Sequence, residues 1–530
     1  MCIRRLIQAI LCGALVAGWA FSQSTDHFRR GLLLLKQRQF REALQEFTQA
    51  EQEHPSDART RNFRGIALAR LGMTREAAAE YHEAIRLDPR LTEAYRNLGF
   101  LEWSLGQPDQ AKGIFQEALR VQPDDPLSHY YLGWIELNEG HYVEAFRDLR
   151  SSRIPWPRDS GFLLHAATGY VTLKRNRDAL RVADEINRLP LNDAESVSLG
   201  SLYLSLHQPQ KAQALFKRLA RQHPNDWWAA FDLARAEYLG GDSGKAARRA
   251  ASLTAHSNRW EAWTLLGIAD AHLGQHEAST RAFRQAARLD PNHEERWLDL
   301  TRELMAQSRY AEAVRMAQEG LQHNPASYAL RLRLGAAYLN GGRYPEAEKV
   351  FRDLIAHNDP TPTATIGLAQ VLLRTGRAHE AVSILGQARQ RLGDSFLLAY
   401  FSGIALDRSG QHRDALHAFE DALRFNAQSA EVHRWLGQIE LQSRNATGAI
   451  DQFTQALKLD PSNNQARLLL SRAYAMVHDP TAAADVAKNI KSGEPPGTVG
   501  DESQDFFLPP WQTPPVNPPK MEKAAAGASQ

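Results

Sequence analysis

Cysteine is almost missing from this sequence: of 530 residues only Cys2 and Cys12 are cysteine, and both stand in the first dozen. A chain trimmed after that segment would carry no thiol, which excludes disulfide bonding and thiol chemistry. Net charge is missing as well, with 63 basic side chains against 61 acidic. That balance gives no electrostatic reason to expect nucleic acid or an anionic membrane surface as a partner. The long apolar run is confined to one end. Residues 1–22, MCIRRLIQAILCGALVAGWAFS, join Arg4 and Arg5 to a stretch from Leu6 to Phe21, with the small residues Ala20 and Ser22 before Gln23. This is the pattern of a secretory signal peptide, so the chain is expected to be exported, periplasmic or extracellular, with no membrane insertion after cleavage. Cleavage would remove two arginines and no acid, leaving 61 basic side chains against 61 acidic. An uncleaved anchor is the alternative, although the run is shorter than the roughly 20 apolar residues of a spanning helix. Leu11 is bulky where a lipidation signal has a small residue before its cysteine, which argues against a lipoprotein.

What the chain has in abundance is one pattern. EAAAEYHEAIRLDP at 76–89 returns as QAKGIFQEALRVQP at 110–123, DALHAFEDALRFNA at 414–427 and GAIDQFTQALKLDP at 448–461. Aligned on its alanine, the series runs from Ala43 through Ala77, Ala111 and Ala145 to Ala449 and Ala483, with Ser279 as the one exception. The period is 34 residues, and copies five and seven are one residue short. Twelve residues before the alanine stands a glycine in most copies, as Gly31, Gly65 and Gly99; four after it an aromatic, as Phe47, Tyr81 and Phe115; twelve after it a proline, as Pro55, Pro89 and Pro123. Small residues let two helix backbones approach, the aromatic fills the space between neighbouring units, and proline ends the second helix. The unit is helix, turn, helix, turn.

This pattern resembles the tetratricopeptide repeat, and the eighth copy carries it as Trp263, Leu266, Gly267, Phe283, Ala286 and Pro291. The resemblance implies an all-α fold, an α-solenoid of stacked helix-turn-helix units forming a right-handed superhelix. The array is expected over residues 23–490: thirteen complete repeats at 24–463 and a degenerate one at 464–490. Copies five and seven depart from the pattern, with Ala167 and Ala234 at the glycine position and Ala183 and Ala250 at the aromatic position. The departure fits either a local change in helix packing or drift in a connecting turn.

Enzyme signatures fail on inspection. GGDSGKAA at 240–247 has Leu239 and Ala246 where a phosphate-binding loop needs glycine and Ser or Thr. HEERW at 293–297 ends in Trp297 where a second metal-binding histidine would stand, and no Gly-x-Ser-x-Gly elbow occurs. No cofactor or metal is expected, and the array leaves no room for the catalytic region that some glycosyltransferases join to such repeats. The carboxylate clamp of chaperone-binding relatives is also unsupported: its first-copy positions hold Phe28 and Leu32, and only Asn97 falls where an asparagine is wanted.

In proteins that this one resembles, the first helix of each repeat lines a concave surface, with positions 2, 5, 9 and 12 on one stripe. Here the stripe carries Phe100, Trp103, Tyr130 and Trp134 in copies three and four, and Trp228, Phe231 and Tyr238 in copy seven. These aromatics either form a partner-binding groove or pack as core. The expected function is a non-catalytic exported scaffold for protein or peptide partners; the alternative is an accessory subunit of an envelope polysaccharide-export or secretion complex. Residues 491–530 lose the period and carry eight prolines, the composition of a disordered tail. Within it FFLPPW at 506–511 is apolar enough to occupy the aromatic groove when no partner is bound.

Overall fold

A computed structural model of the protein describes residues 26–357 and 361–488. The stretches read as signal peptide and tail lie outside the described residues. Among the described residues the regular structure is 28 helices and no strand, an all-α solenoid. The helices pair in succession into helical hairpins, six in a first unit ending at His223 and eight in a second unit beginning at Pro224. Each hairpin is one period of the sequence. The last is the shortest, its second helix spanning only Pro480–Ala487.

Each hairpin is closed by a steric fit. A Cβ built on Gly31, Gly65, Gly99, Gly267, Gly335, Gly403 or Gly437 would stand no more than 2.9 Å from the aromatic ring sixteen residues later in the same hairpin. Real carbon atoms do not approach so closely, so the ring occupies the space that a side chain would need. Those rings, Phe47, Tyr81, Phe115, Phe283, Phe351, Phe419 and Phe453, are buried. Several also stack on a ring from the next hairpin: Phe47 on Phe63 at 5.9 Å, Phe115 on Tyr131 at 5.5 Å and Phe419 on Trp435 at 5.9 Å. One side chain therefore joins two hairpins.

The departures in copies five and seven follow from the same fit. Ala167 faces the position of Ala183, and Ala234 that of Ala250; all four are buried without exposed surface. Copy nine makes the same exchange with Thr301 and Ala317. Where the glycine gains a side chain, the aromatic shrinks, which removes the clash the two would make. At Ser279 the hydroxyl that replaces alanine's hydrogen donates to the Gly267 carbonyl at 2.8 Å, so its burial leaves no unsatisfied group.

The termini are local chemistry. Asp57, Asp125, Asp159, Asp226, Ser327, Ser395, Ser429 and Asn463 cap the first helices by accepting backbone N–H bonds, and Asn192 forms a capping box with Glu195. Between the two helices of every hairpin stands one residue with left-handed backbone, always seven after the glycine position. It is glycine in eight hairpins, from Gly72 (φ 79°) to Gly410 (φ 81°), and Arg38, Lys174, His207, Ser308, Arg444 or His478 in the other six.

The fit predicts non-additive energetics. Phe115→Ala should destabilise by about 3–5 kcal/mol through cavity formation, and Gly99→Ala by about 1–3 kcal/mol through overpacking. The double variant reproduces the arrangement of copies five and seven, so its loss should fall short of the sum by about 0.5–3 kcal/mol. Urea denaturation followed by far-UV circular dichroism measures all three; a strictly additive double variant would contradict the fit.

Candidate functional site

The first unit carries a continuous row of aromatic rings across adjacent first helices, Thr92–Ser104, Pro126–Glu139 and Ser160–Thr172. Phe100 and Trp103 lie one turn apart, their ring centroids separated by 6.2 Å. Trp103 meets Trp134 of the next hairpin at 5.3 Å, and Trp134 meets Phe162 of the one after at 4.9 Å, edge to face. Tyr131 closes the row from behind, 5.4 Å from Phe100 and 5.3 Å from Trp103 while stacked on Phe115. Phe100, Trp103 and Trp134 are half-buried, supported by rings beneath and open on one side.

Not every stripe residue is accessible. Tyr130 is 6 % exposed, Phe231 0 % and Tyr238 6 %, so these three pack as core and line no open groove. Part of the cover comes from rings on the same helix: Tyr130 sits against Tyr131 and Trp134, and Phe231 stacks on Trp227 at 5.0 Å within the core of the second unit. Burial pushes the Tyr130 phenol well up from its ordinary value. The Tyr238 hydroxyl is hydrogen-bonded to Nε2 of His272 at 2.9 Å. Of the copy-seven group only Trp228 keeps a half-buried ring, with the Arg259 guanidinium 5.1 Å above it.

The structure adds residues that the stripe did not include. Tyr131 lies one position beyond it, and Trp156 comes from the irregular segment after the helix Tyr142–Ser152. Trp156 packs on Phe146, Phe162 and Tyr170 at 5.6–6.2 Å, extending the aromatic layer into copy five. A detectable signal existed for Tyr131: like Phe63 and Trp435, it follows the buried aromatic of the preceding copy by sixteen residues.

The motifs set aside on sequence have structural roles. Within GGDSGKAA, Gly241 takes the left-handed turn and Asp242 caps the following helix, accepting from the Lys245 backbone at 3.0 Å and its ammonium at 2.5 Å. Trp297 is buried and its indole donates to the Pro291 carbonyl at 2.9 Å. Phe28 packs between Phe47 and Phe63, while Asn97 donates to the Asn62 side-chain oxygen at 2.8 Å. Among the described residues no group of His, Cys, Asp or Glu could hold a metal ion, and no helix is long and apolar enough to cross a membrane.

Beside the aromatic row, Glu136 is buried close to the charge of Asp148, which binds Nδ1 of His129 at 2.6 Å and the Arg147 guanidinium at 3.2 Å. Burial, then the adjacent Asp148 charge, push the Glu136 carboxyl up to about 7, against partial relief from Lys112 and Arg147. The folded chain thus holds this proton to higher pH than the unfolded chain, whose glutamate titrates near 4.5. Stability from this group is full below the lower value and declines as pH rises toward the upper one. Glu136→Gln should therefore raise the urea midpoint at about pH 7.5 and leave it nearly unchanged at about pH 4. An equal effect at both pH values would show that the carboxyl stays ionised in the fold.

Comparison with known proteins agrees with this geometry. Tetratricopeptide-repeat family models match residues 28–92, 197–254, 337–395, 402–463 and 441–495, further segments at 68–135 and 304–364, and one at 261–293. No curated relative matches the sequence. Among solved structures, the chain is similar to one in the APC/C hetero-tetramer Cut9–Hcn1, at 13 % identity over 84 % of this chain and 95 % of that one, with a TM-score of 0.36. It is likewise similar to yeast Tom70, at 15 % identity over 87 % of this chain and 98 % of that one, with a TM-score of 0.40. The family models cover more than half of the chain and fall on the hairpins described above: the protein belongs to the tetratricopeptide repeat family.

Proposed function

We propose that this protein is an exported, non-catalytic scaffold that holds a protein partner on the aromatic row of its first unit. The observation that carries the reading is the contact of Trp103 with Trp134 across two hairpins, both rings half-buried. Rings packed on one side and open on the other offer apolar area already held in place, so a partner segment gains burial without paying to order them. The chemistry suits an extended peptide with apolar or aromatic side chains spaced to meet successive hairpins. Repeat arrays suit this work because each hairpin needs support only from its neighbours, leaving one long face free. The signal-like first 22 residues support the part of the reading that sets the task in the envelope or outside the cell. An accessory role in a polysaccharide-export or secretion complex is the narrower form of the same reading.

Crosslinking followed by affinity capture of the mature protein from its native envelope tests the site. Trp103→Ala with Trp134→Ala should leave the helical signal intact, lower stability by about 1–3 kcal/mol for each half-buried ring, and remove the captured partner. Retention of the same partner by the folded double variant would move the site elsewhere.

Export has its own measurement. Mass spectrometry of the protein recovered from periplasm or medium should find an amino terminus at Gln23. Recovery of Met1 in an integral-membrane fraction would support the anchor alternative.

A further inference from the structure

The second unit opens with a cavity of about 620 Å³ formed by its first hairpin alone, between the start of the helix Trp227–Leu239 and the helix Ser243–His256. Trp227, Ala230 and Leu253 form its apolar wall, and Lys245, Arg248, Arg249 and His256 contribute basic groups. Some of these charges are committed. Lys245 is held by Asp242 at 2.5 Å and Arg249 by Glu237 at 2.9–3.0 Å. Asp226, the one acid in the lining, spends its carboxylate on the backbone N–H groups of Trp228 and Ala229. Arg248 is exposed; its charge acts on Asp242, whose carboxylate is already held by Lys245. The indole N–H of Trp227 is buried with no hydrogen-bond partner among them, although its ring stacks on Phe231 and lies 4.8 Å below the Arg259 guanidinium. The exposed Arg248 guanidinium, in a lining that also carries Lys245, Arg249 and His256, calls for an acceptor bearing negative charge. The apolar wall calls for an aromatic or aliphatic group attached to it.

One segment of this chain has that composition. From Glu494 to Pro519 the sequence contains four acids and no lysine or arginine, and Asp501, Glu502 and Asp505 run directly into Phe506, Phe507 and Trp511. We propose that the cavity binds this acidic and aromatic segment, residues 501–511, with Asp505 toward Arg248 and an aromatic side chain on the Trp227 wall. The aromatic row of the first unit is the weaker destination for it, because the cations nearest that row are already paired: Arg96 with Asp125 at 2.6 Å and Lys112 with Glu139 at 2.5 Å. Chain length permits the encounter within one molecule. Asp505, the last of its acids, is 17 residues beyond Lys488, up to about 60 Å when extended. Seven hairpin steps separate the last hairpin from this cavity, about 56–70 Å at roughly 8–10 Å a step, so the segment reaches it only nearly fully extended.

The test uses the full chain carrying Phe506→Ala, Phe507→Ala and Trp511→Ala, which disables its own segment, titrated with a fluorescent peptide of residues 499–513. Saturable binding is expected, and it should weaken about tenfold with Arg248→Glu, an exposed substitution that spares the core. A peptide with Asp501, Glu502 and Asp505 changed to Lys should bind the Arg248→Glu chain better than it binds the parent. The chain with its native tail should bind the peptide at least about threefold more weakly, because its own segment competes. Absence of saturable binding, indifference to Arg248→Glu, equal binding by the native-tailed chain, or loss only in a Trp103→Ala/Trp134→Ala background would each overturn the proposal.

Discussion

Everything in this array depends on one ring fitting where one side chain is missing. The aromatic on the second helix of a hairpin occupies the space opened by a glycine on the first, and no larger residue can share it. Because the same ring reaches the next first helix, as Phe115 reaches Tyr131, closing a hairpin and stacking it on its neighbour are one event. A lone hairpin would leave half of that ring in water. This is why the units are stable only in succession, and why the alanine pairs of copies five and seven and the Thr301–Ala317 pair of copy nine change both partners together.

The steric origin of the pattern explains why the fold was readable. Glycine, alanine, aromatic and proline recur because each does a mechanical task that no other type does, and the tasks repeat at every period. The surface was less readable, since helical spacing identifies a face but not what covers it. Phe100 and Phe231 occupy the same kind of stripe, yet Phe100 is half-buried and Phe231 fully buried, because Trp227 happens to lie over the latter. Trp156 stood in a stretch without periodicity, where spacing carries no information. Glu136 offered no signal either: a glutamate on a helix reads as solvated until the neighbouring Asp148 is placed beside it.

The two candidate surfaces differ in chemistry. The row in the first unit is apolar and made from first helices alone, whereas the cavity of the second unit is rimmed with cations and uses both helices of one hairpin. High salt should therefore discriminate between ligands of the two, weakening ion-pair contacts while leaving ring burial in place.

The left-handed residue between the helices bears on how the array tolerates change. It stands seven residues after the glycine position in every hairpin, including those where arginine, lysine, histidine or serine must bear the strained backbone. The single-residue deletion of copy seven falls elsewhere, in the link after its second helix, and copy five ends its second helix after 11 residues where copies three and six have 14. The turn inside each hairpin thus keeps one geometry, and the end of the second helix with the link after it acts as an adjustable joint. Insertions and deletions that alter the curvature of the array have one place to accumulate, and a map of tolerated length changes along the chain should show them bunched at those joints with silence between.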